Sequence, residues 1–341
     1  MKKIKKIIAI ALIAVLAFAF IACGNTDKGE STLPKKGDTI TITCGYGVGG
    51  TADAIARKFA QVAGEVYPDY TFIVENVTGG DGFAAFSNFT KKDPSTHDLL
   101  IYGYGVAYRH DLGKEYDTEI VNFDREEVWP VVSVDDRTYI VYTRPDSSLE
   151  DVLSKGEVKM SGGNPLSDPH LAFGSLMSLE NVSVQVIPYD GGAEQLKALT
   201  DGEVDVFVGT TQAGMEYVEA GTVIPILAIS EDKYDNFVGP DGELSVYGLV
   251  GEAQHPALQE DLDYTGSILP AGGFIATRKG ADQEWIDKVA EIGKSVWEKP
   301  DYHEWIEEIG LNRFEVYDED ANLHLEEACE KALISFDLLN K

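Results

Sequence analysis

The chain has 341 residues, and its 58 acidic and 28 basic side chains give a formal net charge of −30. Such a surface repels nucleic acid and anionic lipid headgroups, so we expect no nucleic-acid partner. The six histidines and three cysteines have no spacing typical of a metal site, and we expect neither a metal nor another cofactor.

The N-terminus has the features of a secretory signal. Four lysines precede an apolar run from Ile7 to Ala22, which is short for a membrane-spanning helix. The run ends at Cys23, in a pattern that resembles the lipobox of bacterial lipoproteins. We predict a signal peptide over 1–22, lipidation at Cys23 and a flexible, lipid-anchored tether over 23–37. A plain signal peptide and an uncleaved membrane anchor remain as alternatives.

Strand and helix signals alternate along the rest of the chain, except over 231–269, where the pattern is irregular. Strands are predicted at Thr39–Cys44, Tyr70–Val74, Leu99–Tyr102, Val131–Val134, Thr138–Thr143, Val158–Met160, Ser183–Ile187, Val204–Val208, Ile224–Ile229 and Gly273–Thr277. Helices are predicted from Thr51 onward and at Phe83–Thr90, Leu149–Ser154, His170–Leu179, Ala193–Leu199, Glu284–Trp297 and Ala321–Leu339. This alternation predicts an α/β fold, and roughly 300 ordered residues predict two lobes.

Four segments, rich in glycine, carry the most specific pattern. They are 49–53, 75–82, 187–192 and 199–206, which read GGTAD, ENVTGGDG, IPYDGG and LTDGEVDV. In this order and spacing they resemble the substrate-binding receptors of tripartite tricarboxylate transporters, the Bug-type receptors.

That resemblance implies a fold and a function. The fold would be a two-lobed flytrap of the periplasmic-binding-protein type, with a helix-flanked β-sheet in each lobe. One lobe would comprise 38–134 and 250–341, and the other 135–249. The protein would be a monomeric extracytoplasmic receptor, not an enzyme, held by its lipid at the outer face of the bacterial cytoplasmic membrane. It would capture a small carboxylate ligand and deliver it to integral-membrane transporter subunits.

The residues themselves point to carboxylate binding. Glycine lets the backbone approach a ligand closely, and a helix start adds unpaired N–H groups with a favourable dipole. Such loops lie at the carboxyl ends of strands in open α/β sheets, where ligands collect. The candidate ligand-binding residues are Tyr46, Gly49, Gly50, Thr51, Asp53, Thr78, Gly79, Gly80, Asp81, Gly82, Phe83 and Tyr104 in the first lobe and Gly163, Asn164, His170, Tyr189, Asp190 and Gly191 in the second.

Most of these residues also have a purely structural interpretation. The glycines make tight turns in any fold, and Asp53 lies four residues before Arg57, as in a structural helix pair. Asp81 and His170 are each placed to cap a helix. Tyr189 is as compatible with a structural role as with a pocket wall.

Three positions depart from the family pattern and change the expected ligand. Val77 stands where the family usually has arginine, Asp190 where it usually has lysine, and Asp81 adds a carboxylate to the glycine loop. These differences predict a ligand with fewer negative charges than a tricarboxylate, either a monocarboxylate or a carboxylate that bears an amine.

Two other functions remain open. A sensing accessory lipoprotein would use the same scaffold, and a secreted hydrolase would need a nucleophile with a paired base. Cys44 lies inside a predicted strand, and no G-x-S-x-G motif is present. Cys44 and Cys329 form either a disulfide or two buried free thiols.

Overall fold

The computed structural model describes residues 32–115, 124–189 and 191–341, of which Pro34–Lys341 belongs to one unit. The predicted signal peptide, Cys23 and Asp190 lie outside the described residues. Within the described ranges, no helix has the length and apolar character needed to cross a bilayer.

The first sheet has five strands in the order β2-β1-β3-β12-β4. Its strands are β1 (Thr39–Cys44), β2 (Thr71–Asn76), β3 (Leu99–Gly103), β4 (Val128–Asp136) and β12 (Gly272–Arg278). Helices follow the first three strands as α1 (Thr51–Val66), α2 (Phe83–Phe89) and α3 (Tyr104–Glu115). Because β1 pairs in parallel with both β2 and β3, the loops after these three strands share one edge of the sheet.

The second sheet repeats this arrangement in the order β7-β6-β8-β5-β9. Its strands are β5 (Tyr139–Thr143), β6 (Glu157–Gly162), β7 (Ser183–Pro188), β8 (Val206–Thr210) and β9 (Ile224–Ile229). Its helices are α4 (Leu149–Leu153), α5 (Asp168–Leu179), α6 (Gly192–Thr200) and α7 (Thr211–Glu219). Strand β6 pairs in parallel with β7 and β8, so the loops after these strands also share one edge.

The chain crosses from the first sheet to the second between β4 and β5, and it returns after β9 through a hairpin and a long loop. The remaining elements are β10 (Tyr234–Gly239), β11 (Gly242–Val246), α8 (Gln283–Trp297), α9 (Pro300–Glu308) and α10 (Glu319–Leu339), with 3-10 turns at Arg125–Glu127, Gly251–Ala253 and Thr265–Ser267. Helix α10 packs against α3, β4 and α5. One apolar core therefore runs continuously between the two sheets.

The predicted α/β class is confirmed, with two helix-flanked sheets, and the predicted elements agree with the structure to within a few residues. Three helices, α3, α7 and α9, were not predicted. Helix α3 buries most of its first two turns on several sides, so it has no apolar stripe of helical period. The irregular pattern over 231–269 conceals the hairpin β10–β11, in which exposed and buried residues alternate poorly. The division into lobes at 134 and 250 stays a prediction.

Both cysteines of the described region are free and buried. Burial raises the pKa of the Cys44 thiol, so the neutral thiol is favoured and Cys44 is a poor nucleophile. Cys329, in α10, has its pKa raised by the same cause.

Candidate ligand-binding cleft

The strand-end loops of the two sheets meet across a cleft. The Thr51 hydroxyl, at the start of α1, donates to Gln212 Oε1 in α7 over 2.6 Å. The Asn164 side-chain amide, after β6, donates to Asp81 Oδ2, after β2, over 3.1 Å. Two loops of the first sheet, 46–50 and 78–82, are called the glycine loops below. The loop of the second sheet at 163–167 is called the facing loop.

Asp53 braces the first glycine loop from beneath. Its Oδ2 accepts the Gly49 backbone N–H at 2.9 Å and the Arg57 Nε–H at 3.0 Å. Its Oδ1 accepts from the Asn76 amide at 2.7 Å, and the same amide donates to the Tyr46 carbonyl at 2.9 Å. Asp53 is 2% exposed, and through these hydrogen bonds it positions the loop and the end of β2 together.

These contacts also set the charge of Asp53. Burial by itself raises the pKa, but the hydrogen bonds from Arg57, the Gly49 amide and Asn76 outweigh burial and hold the pKa of Asp53 below its ordinary value. Asp53 is therefore ionised at neutral pH, and the structural interpretation of the Asp53–Arg57 pair accounts for its contacts.

The second glycine loop has an unusual backbone. Gly79, Gly80, Asp81 and Gly82 have φ values of 133°, 57°, 56° and 96°, all in the left-handed range that favours glycine. The Tyr46 hydroxyl lies so close to Gly82 that a Cβ atom there would be 3.2 Å from it. Glycine is thus required at position 82 both for the backbone conformation and for the close approach of the Tyr46 hydroxyl.

Asp81 is the one side chain of this run, and Arg109 from α3 holds it in place. Arg109 Nη2 donates to the Asp81 carbonyl at 2.8 Å, and Nη1 lies 3.4 Å from Asp81 Oδ2. The Arg109 guanidinium also stacks on the Phe83 ring at 4.1 Å. Burial raises the pKa of Asp81 and outweighs the opposing effects of Arg109 and Asn164.

On the second sheet, His170 braces the facing loop. Its Nδ1 accepts the Leu166 backbone N–H at 3.1 Å, which supports a residue whose φ is 72°. Burial lowers the pKa of His170 to about 4, so the ring is neutral at neutral pH. A neutral ring is the form that can accept this hydrogen bond.

The predicted aromatic residues occupy different environments. Tyr46 is half-buried at the glycine loops, whereas Tyr104 is 2% exposed and packs against Phe274 and His324 in the core. Tyr189 is half-exposed and donates to Glu203 Oε2 at 2.7 Å within its own sheet.

The structure therefore brings together some of the predicted site residues and leaves others apart. Contacts across the cleft join Thr51, Asp81, Gly163 and Asn164 to the opposite sheet or its loops. Among the described residues no such contact is seen for Tyr189 or Gly191.

Asp168 is the principal site residue that sequence reasoning missed. Its Oδ2 accepts the Tyr139 hydroxyl at 2.8 Å. Its carboxylate lies directly against Gly105, in the first turn of α3, where any Cβ atom would overlap it. The signal in the sequence that could have drawn attention to Asp168 was the pair Asp168-Pro169, which is typical of a helix start. Nothing local connects it with Gly105, which follows a strand of the other sheet.

Arg137 was also missed as a site residue, because it lies in the short connection between the predicted strands Val131–Val134 and Thr138–Thr143. Strand β4 instead extends through Asp136, and Arg137 lies in the crossover to β5. Its Nε and Nη2 both donate to the buried Asp135 carboxylate, which neutralises the guanidinium.

No group of three or more His, Cys, Asp or Glu side chains suited to a metal ion occurs in the ranges that the structure describes. The arrangement instead offers loop backbone, hydroxyls, amides and carboxylates, which suits reversible recognition of a small polar molecule.

A family model now decides the class of the protein. Residues 70–335 match the tripartite tricarboxylate transporter family receptor. The chain belongs to this receptor family. The resemblance inferred from the four segments is thereby confirmed.

Individual relatives of the receptor are distant in sequence. The UPF0065 protein in the gbd 5' region of Cupriavidus necator is 24% identical over 311 residues, covering 85% of this chain and 86% of the relative. A protein from R. palustris solved with adipate has a TM-score of 0.73 at 18% identity, covering 89% of this chain and 98% of that one. MatC from Rhodopseudomonas palustris with bound malate has a TM-score of 0.69 at 17% identity, covering 89% and 99%. These two structures share the receptor's fold.

Proposed function

We propose that this receptor is an extracytoplasmic lipoprotein that captures a small carboxylate-bearing molecule in the cleft and delivers it to a tripartite tricarboxylate-type membrane transporter. The observation that carries the proposal is the pair of hydrogen bonds across the cleft, from Thr51 to Gln212 and from Asn164 to Asp81. A ligand held there contacts both lobes, 38–134 with 250–341 and 135–249, and links binding to their closure.

Charge supports binding by backbone groups at this place. The formal net charge of −30 opposes the approach of an anion, so donors must act locally. The start of α1 and the glycine loops present N–H groups without needing a lysine or arginine. Adipate and malate, the molecules named for the two related structures, are both carboxylates.

Binding is tested by calorimetry on the full chain purified in detergent, with a panel of mono-, di- and tricarboxylates. We expect saturable binding with a stoichiometry of one and no turnover of the ligand. Absence of binding by every carboxylate, or conversion of one to product, would contradict the proposal.

Membrane attachment is tested with Cys23→Ala. We expect this change to release the protein into the medium or to leave it unprocessed, because a thiol at that position is what the lipid is attached to. Fractionation of cells shows the result. A variant that stays in the detergent-extracted membrane fraction like the wild type would disprove lipid anchoring at Cys23.

Delivery is tested by growth. Deleting the receptor is expected to abolish growth on the bound carboxylate as sole carbon source and to leave growth on glucose unchanged. A deletion strain that still takes up the ligand but no longer responds to it transcriptionally would indicate a sensing lipoprotein instead.

A further inference from the structure

A glycine of the first sheet's side meets a carboxylate of the second sheet's side at very short range. Gly105 lies in the first turn of α3, which follows β3, and Asp168 begins α5. A Cβ atom added to Gly105 would lie 2.7 Å from Asp168 Cγ and closer still to Oδ1. These separations are well below van der Waals contact, so the two helices come this near only because position 105 has no side chain.

The backbone at Gly105 does not itself call for glycine. Gly105 lies within a helix and is not among the residues with a positive φ, and alanine stabilises a helix more than glycine does. Gly163 on the facing loop offers a contrast, since a Cβ atom there would lie 3.8 Å from Asp81, which is an ordinary contact. The feature that requires glycine at 105 is therefore the carboxylate of Asp168.

Both partners of this contact are held in place. Asp168 Oδ2 accepts the Tyr139 hydroxyl at 2.8 Å, so the carboxylate cannot turn away from Gly105 without losing that hydrogen bond. The Gly105 carbonyl accepts the Arg109 Nε–H at 3.0 Å, and Arg109 Nη2 also donates to the Asp81 carbonyl at 2.8 Å. The first turn of α3 is thus tied to the second glycine loop.

The contact lies beside the crossover between the two sheets. Tyr139 is the first residue of β5, directly after the chain leaves β4. A side chain at 105 would have to move the two sides apart by roughly 1 Å to relieve the overlap. That displacement would lengthen the hydrogen bonds from Thr51 to Gln212 and from Asn164 to Asp81, now 2.6 Å and 3.1 Å, beyond their normal range.

We propose that the Gly105–Asp168 contact is the stop that sets how far the cleft closes, and that Asp168 is a positioning residue for ligand capture. This inference rests on the proposed function, because closure of the same cleft brings the second side onto the ligand. The stop is steric. A side chain at 105 holds the two sides apart, and removal of the carboxylate at 168 restores the room.

The experiment measures the separation of the two sides directly. Spin labels are attached at Gln61→Cys in α1 and Glu216→Cys in α7, both exposed positions, and pulsed electron paramagnetic resonance gives their distance in the full chain in detergent. The two cysteines of the described region are buried and escape labelling. We expect Gly105→Ala to lengthen the mean distance by roughly 2 Å or more, because a displacement beside a hinge grows away from it.

A second substitution separates a closure stop from a local defect in α3. Asp168→Ala added to Gly105→Ala is expected to return the label distance to the wild-type value, because the overlapping carboxylate is gone. Gly64→Ala is the control, since Gly64 is also helical and a Cβ atom there would lie 3.9 Å from Phe72. This control is expected to leave the distance unchanged.

The outcomes separate this inference from the proposed function. Equal label distances in wild type and Gly105→Ala, as purified and with excess malate or adipate, overturn the closure stop whatever the receptor binds. A lengthened distance that Asp168→Ala does not reverse also overturns it. If Gly105→Ala does not fold, Asp168→Glu takes its place by enlarging the other partner, and an unchanged distance in that variant overturns the proposal.

Calorimetry with malate and adipate links the stop to ligand capture. For a probe that binds the wild type, we expect affinity to fall about tenfold or more in Gly105→Ala and to recover in the double variant. Unchanged affinity in Gly105→Ala would show that the contact does not position the ligand-binding sides. A receptor with the expected distance changes that binds no carboxylate keeps the closure stop and refutes carboxylate capture.

Discussion

The two sides of the cleft are built differently. The glycine loops are braced within their own side, because Asp53 and Asn76 satisfy the loop that begins at Tyr46 and Arg109 holds the other. The facing loop has one internal brace, His170, and its Asn164 side chain finds its partner across the cleft. We propose that the first side provides a backbone surface for the ligand and that the second side provides side chains that contact the ligand on closure.

The largest loss of ligand affinity is expected from a substitution in the second glycine loop. Gly80→Val places a β-branched side chain at a φ of 57°, where its Cβ atom would also lie 3.3 Å from Phe83. We expect ligand affinity to fall by about a hundredfold or more, measured by calorimetry.

Gly47→Ala is the matched control for that change, because nothing lies within 4 Å of a Cβ atom there. It is expected to keep affinity within a few-fold. The sequence pattern also predicts that Gly50→Val abolishes binding, but Gly50 has a φ of −75° and is the weaker test. Equal affinities for Gly80→Val and wild type would refute recognition by this loop.

The hydrogen bond from the Leu166 amide to His170, which supports the facing loop, is expected to be lost in acid. The pKa of His170 is about 4 in the folded protein, against an ordinary value of 6.5. The folded state thus binds fewer protons than the unfolded state between these values, and stability falls as the pH drops from about 6.5 to 4. The full effect is about 3 kcal/mol.

His170→Asn keeps a neutral acceptor for the Leu166 amide and removes the titrating ring. Urea unfolding at pH 7 and pH 4.5 should therefore show a smaller loss of stability in the variant than in wild type. Identical losses would show that His170 is not the source of the acid sensitivity.

The brace of the first glycine loop is tested with Asp53→Ala. The change leaves the Gly49 amide without its acceptor and removes one of the two acceptors of the Asn76 side chain. The free energy of unfolding is expected to fall by about 2 kcal/mol. Asp69→Ala is the control, since Asp69 pairs with Lys36 at 2.7 Å on the surface and the loss of an exposed pair is expected to change stability much less. Similar losses for both would contradict the special role of Asp53.

The smallest effect concerns one hydrogen bond between the two sides. Thr51→Val removes the hydroxyl that donates to Gln212 and keeps the shape of the side chain. Ligand affinity is expected to fall about threefold to tenfold, because a single net hydrogen bond contributes about 1 kcal/mol. Folding stability measured without ligand should change less than in Asp53→Ala. A larger loss of stability than in Asp53→Ala would place the contact in the fold rather than in closure.

Local pattern was enough for most of the fold and for one side of the cleft. The β-branched run at Thr39–Cys44, the glycines after it and the helical period from Thr51 are short-range signals, and each corresponds to an observed element. The same signals marked both glycine loops. Asp53 and Arg57 were recognised as a pair because four residues separate them on one helix.

Tertiary structure alone decided which side chains complete the site. Asp168 meets Gly105, and Arg109 holds Asp81, across 63 and 28 positions of the chain. Helix α3, which carries Gly105 and Arg109, has no amphipathic stripe, because neighbours cover it on several sides. Contacts of this kind depend on how two sheets pack, and packing is set by the whole apolar core rather than by any local spacing.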